Sequence, residues 1–436
     1  MSFDPQLYAL RRQEICERLK KEGGGVLLLP AAEEKQRNAD SEYVFRQDSD
    51  FAYATGFDEP TGCALLFDDG RFVLFVRPRD PQREIWTGTR AGVEGAVATY
   101  GATEAFPVNE VEAKLSGLID RAPALWYRLG RDHAWDSRVV QALCDLRSRA
   151  RAGTQAPSRI IDSGSLLHEM RLFKGPAEIM ALRKAAEITA EAHLAAMRDG
   201  QPGRREHQVQ AEIEYAFRRR GGSGPGYGTI VAAGNNGTIL HYRAGGAELR
   251  EGDLCLVDAG GEFDWYTADV TRTFPVSGSF TTAQREAYEV VLDAQLEGIA
   301  ATKPGVTLEA VHDAVVKRLT AGMIALGLLQ GSVEERVADM SFRKYYMHRT
   351  SHWLGMDVHD VGSYYAGGKP RPLEPGMVFT VEPGLYIPAS DTSAPEALRG
   401  FGIRIEDDLL VTSEGHENLT GAIPKTPEEV EACCVR

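Results

Sequence analysis

Four acidic side chains stand where strand-like apolar runs begin or end, and they constrain the fold of this chain more than any other feature. A carboxylate within an apolar strand is costly unless an ion pair or a bound metal compensates its charge. Taken singly, each of the four could be a strand-end charge in water or a member of an ion pair. They are Asp258 after LCLV, Asp269 before VTRTF, Glu382 after MVFTV and Glu406 after GIRI.

The first two acids are separated by a stretch rich in turn-forming residues, GGEFDWYTA. If the two apolar runs pair as an antiparallel hairpin, Asp258 and Asp269 can fall on the same face. The sequence therefore predicts that these carboxylates share one site among strands.

Three histidines lie in the short segment HRTSHWLGMDVHD, at positions 348, 352 and 359. A lone histidine is more often structural or exposed, but three in one segment favour a functional site, and imidazole is the commonest neutral metal ligand. One histidine with four carboxylates suits two hard or borderline divalent ions such as Mn²⁺. Because two such ions form a known hydrolytic device, the residues predict a metallohydrolase.

The chain also divides into two parts with different patterns. The first predicts an α/β domain, and Lys174-Gly175-Pro176 marks a helix end followed by a new helix, so we place a domain boundary near residue 174. The glycine-rich segment 221–228 is interpreted as a loop. Expected strands are 25–29, TIVAA, TILHY, LCLVDAG and TADVTRTF, with a hairpin of 61–67 and 71–76; expected helices are 138–149, 177–198, 204–220, 282–302 and 307–326.

Composition excludes several classes of partner. A net charge of −14 argues against nucleic-acid binding, which relies on clustered Lys and Arg. No apolar run is long enough for a membrane span, and the N-terminus MSFDPQLYALRRQEI does not have the pattern of a secretory signal. The six cysteines form no CxxC pair, which is typical of reduced thiols in a cytoplasmic protein.

Five segments, in chain order, closely resemble the Xaa-Pro aminopeptidase and prolidase family of metallopeptidases, related to the methionine aminopeptidases. A further segment, RNADSEYVFRQDSDFAYATGF (37–57), is similar to the N-terminal domain signature of that family. The resemblance implies an α/β N-terminal domain over residues 1–174 and an α+β pita-bread catalytic domain over 175–436. The five segments are ILHY (239–242), VDAG…ADVTRTFPV (257–276), HRTSHWLGMDVHDVG (348–362), LEPGMVFTVEPGLYI (373–387) and GIRIEDD (402–408).

The same resemblance implies a role for each matching residue. Two divalent ions, expected to be Mn²⁺, would be held by Asp258, Asp269, His352, Glu382 and Glu406, with Asp269 and Glu406 bridging both. His241, His348 and His359 would contact the substrate or the developing oxyanion. Glu382 would also be catalytic, and Arg404 would orient a ligand carboxylate. One departure is Arg349, which follows His348 where the family usually has glycine.

The implied substrate is a peptide with proline in second position, whose Xaa-Pro bond is a tertiary amide without an N–H. The alternatives are a Xaa-Pro dipeptidase with the same metals and a binding module that keeps the fold without activity. A dipeptidase would meet the free carboxylate with a cation. We expect any such cation between His359 and Glu382 or in the insertion 388–399, which together contain Lys369, Arg371 and Arg399.

The resemblance also implies a homodimer or homotetramer in which the N-terminal domain approaches a neighbour's active site. Asp40 and Trp86 match positions near that cleft. They could equally be a loop carboxylate and an indole packed in the core.

Overall fold

The computed structural model describes residues 4–434, and the chain divides into two compact units, Met1–Met170 and Arg171–Arg436. The first three residues of the N-terminal segment, where no signal sequence is expected, lie outside the described residues.

The first unit contains a mixed six-stranded sheet in the order β6-β5-β4-β1-β7-β8. Its strands are β1 (Val26–Pro30), β4 (Cys63–Phe67), β5 (Phe72–Val76), β6 (Glu104–Pro107), β7 (Leu125–Trp126) and β8 (Ile160–Ile161), with a separate pair β2 (Gln36–Asn38) and β3 (Ser41–Glu42). Its helices are α1 (Pro5–Lys21), α2 (Ser49–Thr55), α3 (Pro81–Thr87), α4 (Gly92–Ala98), α5 (Val111–Leu118), α6 (His133–Ser148) and α7 (Gly164–Leu172), the last of which crosses the division.

Both faces of the inner strands β1, β4 and β5 are buried, which explains why these strands are apolar throughout rather than alternating. Val26 and Leu28 of β1 pack in one core with residues of α5 and α6, while α1 and α2 contact strands β4 and β1. The predicted hairpin is confirmed, since β4 and β5 pair antiparallel. Helix α6 begins at His133 rather than at residue 138, because Asp132 caps it by accepting the N–H groups of Ala134 and Trp135.

The second unit repeats one order of elements, as its sequence suggests: a pair of helices followed by antiparallel strands. The helices are α8 (Pro176–Asp199), α9 (Glu206–Arg219), α10 (Thr282–Ala301), α11 (Leu308–Ala325), α12 (Val333–Ala338) and α13 (Pro427–Cys434). The strands are β9 (Gly224–Pro225), β10 (Ile230–Ala233), β11 (Leu254–Asp258), β12 (Gly261–Phe263), β13 (Tyr266–Thr267), β14 (Thr271–Pro275), β15 (Tyr365–Ala366), β16 (Lys369–Pro370), β17 (Val378–Val381), β18 (Gly384–Ile387), β19 (Phe401–Arg404), β20 (Asp407–Val411) and β21 (His416–Asn418).

The antiparallel strands place the four acids at corresponding points of the two halves. In the first half β11 lies between β10 and β14, with Asp258 opposite Thr271. In the second half β17 pairs with β20, and β18 pairs with β19. Glu382 therefore lies in the link between β17 and β18, and Glu406 in the link between β19 and β20.

Two local expectations are wrong. The segment TILHY forms no strand, because a 3₁₀ helix at Gly234–Thr238 continues into turns in which Ile239 and Tyr242 donate to preceding carbonyls. The expected strand TADVTRTF begins only at Thr271, because the small hairpin β12–β13 is inserted between β11 and β14. Asp269 consequently precedes its strand.

Every helix among residues 4–434 is too short or too polar to cross a membrane.

Candidate active site

All nine residues that the sequence predicts for the site line a single cavity of about 720 Å³ in the second unit. Segments far apart in sequence bring them there, mostly from the ends of strands. They are Asp258, Asp269, Glu382, Glu406, His241, His348, His352, His359 and Arg404.

Three of them form a compact group that could hold a metal ion. Asp269, His352 and Glu406 each offer a ligand atom, and these atoms all lie within 4.8 Å of one another. His352 Nε2 is 3.2 Å from Asp269 Oδ2, while His352 Nδ1 lies 3.1 Å from the carbonyl oxygen of Trp353. With the Nδ1 proton donated to that carbonyl, Nε2 is the nitrogen that faces the carboxylates and that would bind a metal ion once it loses its proton.

Glu382 adjoins this group from the other side. Its Oε1 is 3.5 Å from His352 Nε2, and its Oε2 is 3.7 Å from His348 Nδ1. The backbone N–H of Glu382 donates to the carbonyl of Thr350, which holds the β17–β18 link against the segment that carries the histidines.

Asp258 is held by two neighbours. Its Oδ1 accepts a 2.7 Å hydrogen bond from the Tyr227 hydroxyl, and its Oδ2 pairs with Arg404 Nη2 at 2.5 Å. Arg404 Nε also donates to the Thr271 hydroxyl, which in turn donates to Glu406 Oε2 at 2.6 Å. One guanidinium thus contacts Asp258 directly and Glu406 through Thr271.

A hydrogen-bonded chain also links Arg404 to His348. Arg404 Nη1 donates to the Tyr386 hydroxyl at 3.0 Å, and that hydroxyl lies 2.8 Å from His348 Nε2. Burial and the charge of Arg404 lower the pKa of His348 to about 3. His348 is therefore a neutral imidazole that accepts from Tyr386 and donates through Nδ1 to the carbonyl of Arg349.

The cavity floor concentrates negative charge away from water. Burial raises the pKa of Glu382 to about 7, even though His352 and Arg404 act in the opposite direction. Burial and the Asp269 charge raise the pKa of Glu406 well above its ordinary range. Burial alone would lower the pKa of His352, but the hydrogen bond to Asp269 and the charge of Glu382 raise it to about 9. These shifts mark a site that needs positive charge.

The other two histidines lie beside this centre. The His359 ring packs edge-on against His352, with 4.4 Å between the ring centroids, and burial lowers its pKa. His241 lines the cavity from the segment that follows β10. Neither makes a hydrogen bond or ion pair with the carboxylates within residues 4–434, so both are free to meet a ligand.

The segment that carries His241 is held in place by Glu206. This residue is the first of α9, and its side chain is fully buried. Glu206 Oε1 accepts from the Ala233 N–H and the Asn236 amide, and Oε2 accepts from the Tyr242 hydroxyl and the Gly245 N–H. Four donors on one buried carboxylate hold this irregular stretch in place.

Tyr227, Tyr386 and Thr271 are functional neighbours that sequence reasoning missed. Tyr227 lies in the glycine-rich segment interpreted as a loop, where a single aromatic residue gives no acidic or metal-binding pattern. Conversely, the three proposed carboxylate-binding cations do not line the cavity in the described part of the chain. Arg399 donates to the carbonyls of its own loop, Arg371 lies near Glu374, and Lys369 is exposed on β16.

Comparison with protein families identifies both units. The model of metallopeptidase family M24 matches residues 180–413, and the model of the aminopeptidase P N-terminal domain matches residues 8–126.

Relatives and solved structures agree with these matches. The Xaa-Pro aminopeptidase of Escherichia coli is 46% identical over 99% of this chain and 98% of its own, and human Xaa-Pro aminopeptidase 3 is 35% identical over 98% and 85%. The structure of Pseudomonas aeruginosa aminopeptidase PepP superposes with a TM-score of 0.97, at 46% identity over 99% of this chain and 98% of that one. Zinc-substituted E. coli aminopeptidase P in complex with product gives 0.95, at 44% identity over 100% and 99%.

Proposed function

This chain belongs to metallopeptidase family M24, among its Xaa-Pro aminopeptidases, and from that premise we propose how its cavity hydrolyses the bond between an N-terminal residue and a following proline. The predicted family, the α/β plus α+β pita-bread fold class and the hydrolase activity are confirmed. The assignment of individual residues and the substrate length are our proposals, as is the division into an N-terminal domain 1–174 and a catalytic domain 175–436.

We assign the metal site to Asp258, Asp269, His352, Glu382 and Glu406. The observation that carries the assignment is the group Asp269, His352 and Glu406, whose ligand atoms converge within 4.8 Å on a buried, acidic floor. The donor set fits: carboxylate oxygens and one imidazole suit two hard or borderline divalent ions, for which we propose Mn²⁺. Such ions supply Lewis acidity toward the scissile carbonyl and lower the pKa of water.

The residues of the chain then divide the remaining work. Glu382 lies between His352 and His348, where its carboxylate can accept a proton from the attacking water and pass it to the departing proline nitrogen. Neutral His348 and His359 can donate or accept hydrogen bonds without adding charge, and we assign them, with His241, to the substrate and its developing oxyanion. Arg404 keeps Asp258 oriented throughout.

Proline specificity follows from what this site does not require. A site that grips the peptide through its carbonyl and its amino terminus needs no N–H from the second residue, and the Xaa-Pro bond has none. The cavity wall adds apolar surface from Ile230, Leu240 and Val358 among its lining residues, against which a proline ring can pack.

The substrate is proposed to be a peptide of three or more residues. None of Lys369, Arg371 and Arg399 lines the cavity among the residues described, so the cations expected for a dipeptidase are not where that alternative places them. The Mn²⁺-loaded chain should therefore cleave Gly-Pro-Ala with a higher kcat/KM than Gly-Pro, and should cleave Gly-Ala-Ala poorly. A clear preference for Gly-Pro, with Gly-Pro-Ala inert, would replace this proposal by the dipeptidase.

We further propose a cytoplasmic homodimer or homotetramer with no nucleic-acid or membrane partner. All six cysteines are free thiols, as expected in a reducing compartment. Self-association is supported by helix α3, which leaves Ile85 and Trp86 at 82% and 87% exposure and buries none of its residues within its own unit. The indole is therefore not packed in the core of the isolated chain, and Asp40 is an exposed loop carboxylate.

A further inference from the structure

Two arginines on the cavity wall, Arg243 and Arg349, have guanidinium groups that make no hydrogen bond or ion pair with any residue in the described range 4–434. Both side chains line the cavity and are exposed. The third arginine of the cavity, Arg404, by contrast already donates hydrogen bonds to Asp258, Thr271 and Tyr386. An arginine is always charged and presents five donors, so these two offer unused anion-binding capacity.

The backbone beneath each of these arginines is fixed, although the side chain is not. Arg349 is followed by fully buried Thr350, whose hydroxyl lies 2.7 Å from both His312 Nδ1 and the Tyr346 hydroxyl. Arg243 is preceded by Tyr242, which donates to buried Glu206. Each guanidinium is thus presented from a rigid support.

Each arginine also lies next to the proposed reaction centre in sequence. Arg349 directly follows His348, and Arg243 comes two residues after His241. A substrate group bound at either histidine lies next to the scissile bond. One or two further residues of extended peptide, at about 3.3–3.6 Å each, therefore bring the substrate within reach of a guanidinium.

The charge distribution of the cavity favours an anion on this wall. If two divalent ions offset the four carboxylates of the floor, as we propose above, the wall retains the charges of Arg243 and Arg349. Glu214, the remaining carboxylate among the lining residues described, accepts a hydrogen bond from Gln210 at 2.7 Å. The wall is then a cationic surface beside an occupied, neutralised floor.

We propose that Arg243 and Arg349 bind a carboxylate of the substrate beyond its proline, carried by the third residue either as the C-terminal carboxylate or as an acidic side chain. The inference rests on the proposed function and names its substrate class: short Xaa-Pro-Xaa peptides with a free C-terminus, or longer ones with Asp or Glu in third position. The arginines set specificity, because a planar carboxylate pairs with a guanidinium through two parallel hydrogen bonds.

The test compares matched peptides on the same Mn²⁺-loaded enzyme preparation. One pair is Gly-Pro-Ala with a free carboxylate and its C-terminal amide; the other is Gly-Pro-Glu-amide and Gly-Pro-Gln-amide. Wild type should favour the charged member of at least one pair by about tenfold in kcat/KM, the scale of a charge-assisted contact partly screened by water. The first pair reports a C-terminal carboxylate, and the second an acidic side chain.

The ratio of kcat/KM for the charged peptide to kcat/KM for its neutral counterpart should move toward one in both Arg349→Ala and Arg243→Ala. Arg349→Lys should retain part of the preference. Since both peptides of a pair meet the same sample, losses of folding or metal cancel in the ratio. Arg399→Ala is the matched control, because that guanidinium is bound to its own loop, and it should leave the ratio as in wild type.

Equal rates for charged and neutral peptides in wild type would overturn the inference, as would a ratio unchanged in both alanine variants or lost in Arg399→Ala. These outcomes differ from failure of the proposed function, in which none of the four Xaa-Pro peptides would be cleaved.

Discussion

At the bottom of the cavity, Asp269 joins several parts of the site. Its Oδ2 lies 3.2 Å from His352 Nε2, and its own backbone N–H donates to Asp408 Oδ2 at 3.0 Å. Since that hydrogen bond fixes the backbone while the carboxylate faces His352 and Glu406, the side chain is positioned to act as a metal ligand.

Asp269→Asn should therefore lose metal rather than structure. The amide removes one negative charge, which the proposed bridging role would share between both ions, while keeping the size of the side chain. We expect about two Mn²⁺ per chain in wild type, as a two-metal site requires, and fewer than about one in the variant, measured by elemental analysis after dialysis. Asp313→Asn, at an exposed position on α11, is the control. Full metal content and activity in Asp269→Asn would remove this residue from the ligand set.

At the residue level, prediction from sequence succeeded for side chains whose charge is energetically costly beside an apolar strand. Carboxylates next to apolar runs stand out in the sequence, and all four line the cavity. It failed for the supporting hydroxyls and for the cations. Tyr227 and Tyr386 are aromatic residues whose ordinary place is a core, and a cation's partner depends on its place in the folded chain. Arg399 illustrates this, because the carbonyls of its own loop satisfy it.

Among the elements, the stretch between β10 and β11 depends most on one buried contact. Glu206, at the start of α9, accepts from both Ala233 and Tyr242, and so holds the segment that carries His241. In Glu206→Gln one oxygen becomes an NH₂ group, which cannot accept, so at least one pair of donors loses its partner.

Glu206→Gln should reduce kcat/KM by about tenfold, through misplacement of His241, and lower the unfolding free energy by about 2 kcal/mol, the scale for buried bonds to a charged group. Steady-state kinetics and urea unfolding measure the two effects, and bound Mn²⁺ should stay at the wild-type level because no ligand has moved. Glu212→Gln, exposed on the same helix, is the matched control. Wild-type kinetics in Glu206→Gln would show that the contact does not position His241.

The same stretch shows where element prediction from sequence reaches its limit. Long helices such as α8 and α10 follow from their apolar period, because each buries one face along its length. TILHY has a strand-like composition, but the polar partner that bends it, Glu206, lies more than thirty residues earlier in the chain. Short segments are decided by such distant contacts, which a local pattern does not contain.

At the scale of the whole molecule, the chain divides into two compact units between Met170 and Arg171, and the domain boundary near residue 174 stays a prediction. The catalytic fold was readable from five segments in order. The expected dimer or tetramer came only from the family resemblance, because residue patterns do not show which apolar side chains the folded units leave uncovered. Trp86 shows this: the sequence allows a packed indole, whereas the structure exposes 87% of it.

We expect this surface to be covered by a second copy of the chain. Large apolar side chains at such exposure are unusual on a monomer, and tryptophan is enriched among the residues that dominate association energies. Trp86→Ser should weaken self-association by at least about tenfold, seen by sedimentation velocity over a dilution series. In wild type, dilution should also shift the indole emission to longer wavelength as Trp86 returns to water.

Val140→Ser is the matched control, since Val140 is an apolar residue of the same unit, 53% exposed on α6. It should sediment as wild type does, because it lies on another helix and removes less apolar surface. Activity measured in the same dilution series then decides whether assembly matters for catalysis. A wild-type chain that stays monomeric at all concentrations, with full activity, would leave α3 without a partner and remove the proposed assembly.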